Sequence, residues 1–146
     1  MADTMVERLR AAPLPHIGEL IGFRIDGVER GSSEISLEAD ERHWNPMGTL
    51  HGGVLCDIAD AAMGFAYASQ LEVGESFTTL ELKINFMKPV MRGKVRALGR
   101  VVKAGRTVGL VECDILDQKG SLVARASSTC MTLRGEQAAG RIGTLR

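Results

Sequence analysis

A chain of 146 residues with 45% apolar and 25% charged side chains has the size and composition of one ordinary globular domain with a proper core, not of a disordered or fibrous segment. Eighteen basic and eighteen acidic residues cancel, so nothing in the charge balance favours nucleic acid or an anionic membrane surface as a partner. The three cysteines, Cys56, Cys113 and Cys130, are odd in number and sit in apolar runs. They read as reduced, buried thiols, and with a charged first segment that lacks an apolar signal core they make a cytoplasmic location the expectation.

In chain order, residues 4–12 have the pattern of a short amphipathic helix, with Thr4 and Glu7 in capping-box spacing and Pro13 and Pro15 ending it. Two strand-like runs follow, residues 21–30 and 33–39, joined by a turn near Gly31. Residues 41–50 form a loop containing Pro46 and Gly48. The helix that comes next is the centre of the chain. Four more strand-like runs then occupy residues 78–88, 94–103, 107–116 and 121–133. In the first of these Leu80, Leu82, Ile84 and Phe86 alternate with Glu81, Lys83, Asn85 and Met87, which predicts one buried and one wet face. The tail beyond residue 134 is polar and glycine-containing, as in a frayed or contact-forming end. No internal repeat and no linker divides the chain, so residues 1–146 read as one domain with its core over about residues 16–133.

This order places one long helix among clustered strands. Hairpins are favoured over parallel crossovers, and a single helix covers little more than one sheet face. The predicted fold class is α+β, an antiparallel sheet wrapped around one long central helix.

Of the fifteen residues 54–68, twelve are apolar or aromatic, one is Gly64 and two are Asp57 and Asp60. A helix apolar on nearly every side belongs inside a protein, and at roughly 22 Å it is short for a bilayer. Two acids there are costly unless paired or used. At its start, Gly52 and Gly53 either form a plain tight turn or present free N–H groups, at the positive end of the helix dipole, to a carboxylate, a phosphate or a developing oxyanion. Asp60 lies about 10 Å beyond Gly53 on the same helix and cannot reach a group held there. Two antiparallel copies of the helix would bring the two together across a two-fold dimer. The alternative is a buried acid satisfied by backbone or hydroxyl groups. Asp57 suits the helix dipole better than catalysis, and Cys56 suits inert packing better than a thiolate. His51 is a base, a ligand or a loop-stabilising partner. No second His, Cys or acid falls at a ligand spacing, so no metal is expected.

The run Asn45-Pro46-Met47-Gly48-Thr49-Leu50-His51-Gly52-Gly53, with Asp60 nine positions after the histidine, resembles the hotdog-fold acyl-CoA thioesterases. It is most similar to the branch related to the phenylacetic-acid-pathway and 4-hydroxybenzoyl-CoA thioesterases. Residues 79–89, the Gly105-Arg106 turn and residues 120–131 resemble the same family. The resemblance implies a hotdog fold and hydrolysis of an acyl-CoA, with an aryl or medium-chain acyl group in keeping with Met63, Phe65, Tyr67 and Met87. It implies Asp60 as nucleophile or general base and the N–H of Gly53, together with Gly52, at the thioester oxygen. Asn45 would help hold the water or carbonyl, His51 would support the loop, and Thr79 would supply a hydroxyl, although strand parity points to Thr78. Lys88, Arg92, Lys103, Gly105 and Arg106 match basic and backbone groups that bind CoA. The family also implies homodimers pairing into tetramers, with CoA as part of the substrate and no separate cofactor. Two other readings stand beside this one. A hydratase or dehydratase of acyl thioesters on the same fold would need a differently placed His and acid. A non-catalytic acyl-CoA-binding protein would lack the acid.

Overall fold

The computed structural model describes residues 4–141. Helix α1 (Met5–Ala11) begins at a capping box. The Thr4 hydroxyl accepts the Glu7 N–H at 3.3 Å, and the Glu7 carboxylate accepts the Thr4 N–H at 2.7 Å. After the two prolines comes a short helix not expected from the sequence, α2 (His16–Ile21). Its signals are Pro15 ahead of its first turn and Gly22 after its last, where φ is +93° and an L side chain would be strained. The first strand therefore starts at Phe23 and not at residue 21.

Strands β1 (Phe23–Glu29) and β2 (Ser32–Ala39) form a hairpin, and β3 (Ser76–Phe86), β4 (Gly93–Ala104), β5 (Val108–Leu116) and β6 (Leu122–Leu133) follow the central helix α3 (Gly52–Ala68). All pairings are antiparallel, in the order β1-β2-β4-β5-β6-β3. Every strand touches α3, so the sheet curls round it as expected. Close approach is built into β4 and β5. A Cβ on Gly99 would lie 2.4 Å from the Ala62 carbonyl oxygen, and one on Gly109 would lie 2.6 Å from the Tyr67 ring. The Ser33 hydroxyl donates to that same Ala62 carbonyl at 2.6 Å, and Tyr67 shares a 2.7 Å hydroxyl bond with Thr132.

The helix is not buried all round. Leu55, Ile58, Ala59, Ala62, Met63, Ala66 and Tyr67 face the sheet. Val54, Asp57, Ala61, Gly64 and Phe65 are half-buried on the other side, and Asp60 is exposed. The apolar character of that second side belongs to a cavity and not to the sheet.

Strand β3 departs from simple alternation. Its register against β6 shifts between Thr79 and Glu81, so Leu80 bulges out and parity changes there. Phe77 and Thr79 face inward before the bulge and Leu82 and Ile84 after it, whereas Leu80 and Phe86 are each 54% exposed. The expected buried face of Leu80 to Phe86 is thus half correct. A bulge is invisible to a periodicity argument because it inserts one residue into the period. At the chain's end Gly135–Gln137 forms a 3₁₀ turn, and residues 142–146 of the expected frayed tail lie outside the described residues.

Candidate active site

The loop ahead of α3 is held by its own side chains. Asn45 Oδ1 accepts the N–H groups of Met47 and Thr49 at 2.9 and 3.2 Å, and its Nδ2 donates to the Thr49 hydroxyl at 2.9 Å. Asn45 thus spends both ends of its amide on the turn. His43, which the sequence reading passed over, anchors the loop from beneath. Its Nδ1 accepts the Asp40 N–H at 3.2 Å, so its protonated Nε2 donates to the Ile21 carbonyl at 2.7 Å, and its own carbonyl accepts the His51 N–H at 2.8 Å. The available signal was the three-residue spacing of Asp40 and His43, which forms a cap.

His51 is the N-cap of α3, and its Nδ1 accepts the Gly53 N–H at 2.8 Å. The Gly53 N–H is therefore engaged. The N–H groups of Val54 and Leu55 turn to the His51 carbonyl at 3.0 and 3.3 Å. Only the N–H of Gly52 has no partner among the described residues, and this glycine lies under Phe86, whose ring a Cβ would meet at 2.9 Å. The free donor at the positive end of the helix is Gly52.

Asp60 sits further along α3, on the wall of a cavity of about 300 Å³ that is mostly apolar. Asp57, Ala61, Gly64 and Phe65 share its helix face; Phe77 and Thr79 come from β3, Phe23 from β1, and Leu9, Pro15 and Ile17 from the N-terminal segment. The N-terminal lining was not anticipated. Of the four residues expected to shape an acyl pocket, only Phe65 lines this cavity; Met63 and Tyr67 are buried and Met87 is exposed. Removal from water pushes the Asp60 carboxyl above its ordinary value. Asp57 is raised by the same desolvation and by the charge of Asp60. Burial, then Asp60, push the Cys56 thiol up as well, which is the reverse of what an activated thiolate needs. The Thr79 hydroxyl and the Cys130 thiol are 3.8 Å apart.

The fold brings Asp60 and Thr79 together at the cavity and gathers Asn45, His51, Gly52 and Gly53 at the helix start. It keeps the two groups apart, with Gly52 about 12 Å from Asp60 along the helix axis. The basic residues are divided too. Lys88 and Arg92 lie near the start of α3, where Lys88 pairs with Asp117 at 2.6 Å and Arg92 pairs with Glu41 and stacks 5.2 Å over Trp44. Lys103, Gly105 and Arg106 lie at the opposite end of β4, roughly 35 Å from Arg92. There the Gly105 N–H donates to the Val108 carbonyl at 2.8 Å, and the Arg106 carbonyl accepts from Arg134 at 2.6 Å. These five residues do not form one patch. No helix is long and apolar enough to cross a membrane among the described residues.

Residues 47–124 match the family model described as the Thioesterase superfamily. The chain is 31% identical over 118 residues to an esterase-named protein of Saccharolobus solfataricus, covering 81% of this chain and 78% of that one. It is 31% identical to 1,4-dihydroxy-2-naphthoyl-CoA hydrolase of Listeria monocytogenes, covering 76% and 90%. Among solved structures it is similar to a phenylacetic acid degradation-related protein from Ralstonia eutropha, with 34% identity, a TM-score of 0.78, and coverage of 87% and 98%. The match spans α3 and strands β3 to β5 and carries the sheet-and-helix architecture described above. The chain belongs to the Thioesterase superfamily and is a thioester hydrolase of hotdog fold.

Proposed function

We propose that this protein hydrolyses an acyl-CoA to the free acid and CoA in a site shared by two copies of the chain. The observation that carries this reading is the placement of Asp60, a carboxyl raised by desolvation, on the wall of an apolar cavity large enough for an acyl group. A carboxylate in such a setting is more basic than in water, which suits it to activate a water or to attack the thioester carbon itself. The acyl chain lies among Phe65, Phe77, Ala61 and Gly64, and the Thr79 hydroxyl lies at the same wall.

The oxyanion needs a donor that is free before substrate arrives, and the N–H of Gly52 meets that condition while that of Gly53 does not. The separation of Gly52 from Asp60 on one helix supports a site in which they come from different copies, with two antiparallel α3 helices related by a two-fold axis. Strand β3 supports such a dimer. It is an edge strand of eleven residues with no strand on its outer side among the described residues, and it carries exposed Leu80 and Phe86. Two β3 edges placed together would continue one sheet across the dimer. Asn45 and His51 act by holding the loop and the helix start. Lys88 and Arg92, at the same end as Gly52, are the basic groups best placed for CoA phosphates; Lys103, Gly105 and Arg106 would serve a CoA that crosses to the far end. Hydrolysis by this route uses no metal or separate cofactor.

The test is hydrolysis of short, medium, long and aryl acyl-CoAs, followed by release of free thiol. Turnover of at least one class is expected, and Asp60→Asn, folded and of unchanged oligomeric state, loses nearly all of it. Near wild-type turnover in that variant would sink the assignment.

A further inference from the structure

Asp57 is a second carboxyl on the cavity wall, one helical turn before Asp60, and the reaction as drawn above gives it no task. Its Oδ2 is buried and makes no hydrogen bond within the described residues. An ionised carboxylate oxygen in that condition carries a large desolvation penalty. Side chains three apart on a helix are neighbours, with Cβ atoms about 5–6 Å apart. Two carboxyls that close in a mostly apolar cavity do not readily ionise together.

Among the described residues, no cation lines this cavity. Apart from Asp57 and Asp60, every residue lining the cavity is uncharged. Of the charged residues on the elements that form it, Arg8 and Arg10 on α1, His16 and Glu19 on α2, Arg24 on β1 and Glu81 on β3 do not line the cavity, and Arg10 is bound to the Val28 carbonyl and to Glu29. The influences on Asp57 are burial and the Asp60 charge; that on Asp60 is burial. The nearby thiols, Cys56 on α3 and Cys130 on β6, are themselves raised and stay neutral. Asp60 is the more exposed member of the pair, so the negative charge resides there.

We propose that Asp57 is a positioning residue whose carboxyl stays protonated beside Asp60 and donates its hydrogen bond to the Asp60 carboxylate. The donated bond fixes the rotamer of the attacking carboxylate and keeps the pair at a single negative charge. The proposal rests on the reading of Asp60 as the reactive group, but its proton can be observed without turnover.

The experiment compares wild type, Asp57→Asn and Asp57→Ala in two measurements. Infrared difference spectra of the folded protein at neutral pH should show a protonated-carboxyl band in wild type that both variants lose. A wild-type spectrum without that band overturns the proposal even if the enzyme is an active thioesterase, and the band persists even if the thioesterase reading fails. The second measurement is the pH dependence of kcat/KM on the best acyl-CoA of the panel. Asparagine is a neutral donor of similar shape, so Asp57→Asn should keep activity within about threefold and leave the acidic limb in place. Asp57→Ala removes the donor, so kcat should fall about tenfold with little change in KM, and the acidic limb should move to higher pH. Were Asp57 ionised, both substitutions would remove a negative neighbour and move that limb to lower pH, which overturns the proposal. An altered oligomeric state in Asp57→Asn would reassign the residue to the interface and overturn it as well. If Asp57→Ala does not fold, the asparagine variant and the infrared band still decide.

Discussion

His51 Nδ1 accepts the N–H of Gly53 at 2.8 Å, and this one bond leaves the intervening Gly52 N–H as the free donor at the start of α3. The bond is an N-cap, of a kind worth about 1 kcal/mol when replaced by alanine. His51→Ala should lower the urea midpoint by a corresponding amount and reduce kcat, because the helix start that aims Gly52 is loosened. His51→Asn, which supplies another capping acceptor, should recover most of the stability. Equal losses in both variants would show that the cap is not what His51 contributes.

Gly52 can be tested without disturbing the helix. Proline is favoured at the first helical position and lacks only the N–H, and the residue before it must be extended, as His51 already is at φ −62° and ψ 133°. An added Cβ would meet the far edge of the Phe86 ring, which can rotate. Gly52→Pro should fold and lose about 10²–10³ in kcat, the usual worth of one oxyanion donor. Mixing this variant with Asp60→Asn should restore about one quarter of wild-type activity, because half of the dimers would be mixed and each would hold one intact site. No restoration would place Asp60 and Gly52 in the same copy or remove Gly52 from the site.

Asp60 should cost the fold stability at neutral pH. Partial removal from water raises its carboxyl in the folded chain above the ordinary 3.8, so the folded state binds the proton more readily than the unfolded one. The stabilising contribution of the protonated form is complete below 3.8 and is lost as pH rises through the folded-state value. Asp60→Asn should therefore raise Tm slightly at pH 7, and the gain should vanish below the ordinary carboxylate value. Calorimetry across that range checks the sign, and exposure of the side chain keeps the effect small.

Gly99 should be intolerant of any side chain. A Cβ there would sit 2.4 Å from a backbone carbonyl that Ser33 also binds, so helix and sheet would have to separate. Gly99→Ala should destabilise by about 2–3 kcal/mol, read as a lower urea midpoint at unchanged slope.

The free edge of β3 should be where copies meet. Leu80→Lys places a charge on the outward bulge of that strand and should weaken self-association in sedimentation experiments. Specific activity of the variant should then fall on dilution, since the shared site is lost with the dimer. A monomeric wild-type protein with full activity would contradict this.

The division of labour between sequence and structure follows the range of the forces involved. The hairpins, the capped helix α1, the central helix and the antiparallel class were legible because periodicity, capping spacing and turn residues act over a few neighbouring positions. The motif from Asn45 to Gly53 and its spacing to Asp60 were legible for the same reason. The bulge at Leu80 was not, because it depends on pairing with β6, 48 positions away at Glu81 and Thr129. That bulge is what sets Thr79, and not Thr78, at the cavity wall. Nor could the sequence say which glycine N–H is free, since this depends on the rotamer of His51, or that Leu9, Pro15 and Ile17 return to line the cavity that Asp60 borders. The two acids of the apolar helix were visible at once. That they share one desolvated wall was decided by tertiary packing, which turns one face of α3 to the sheet and leaves the other to the cavity.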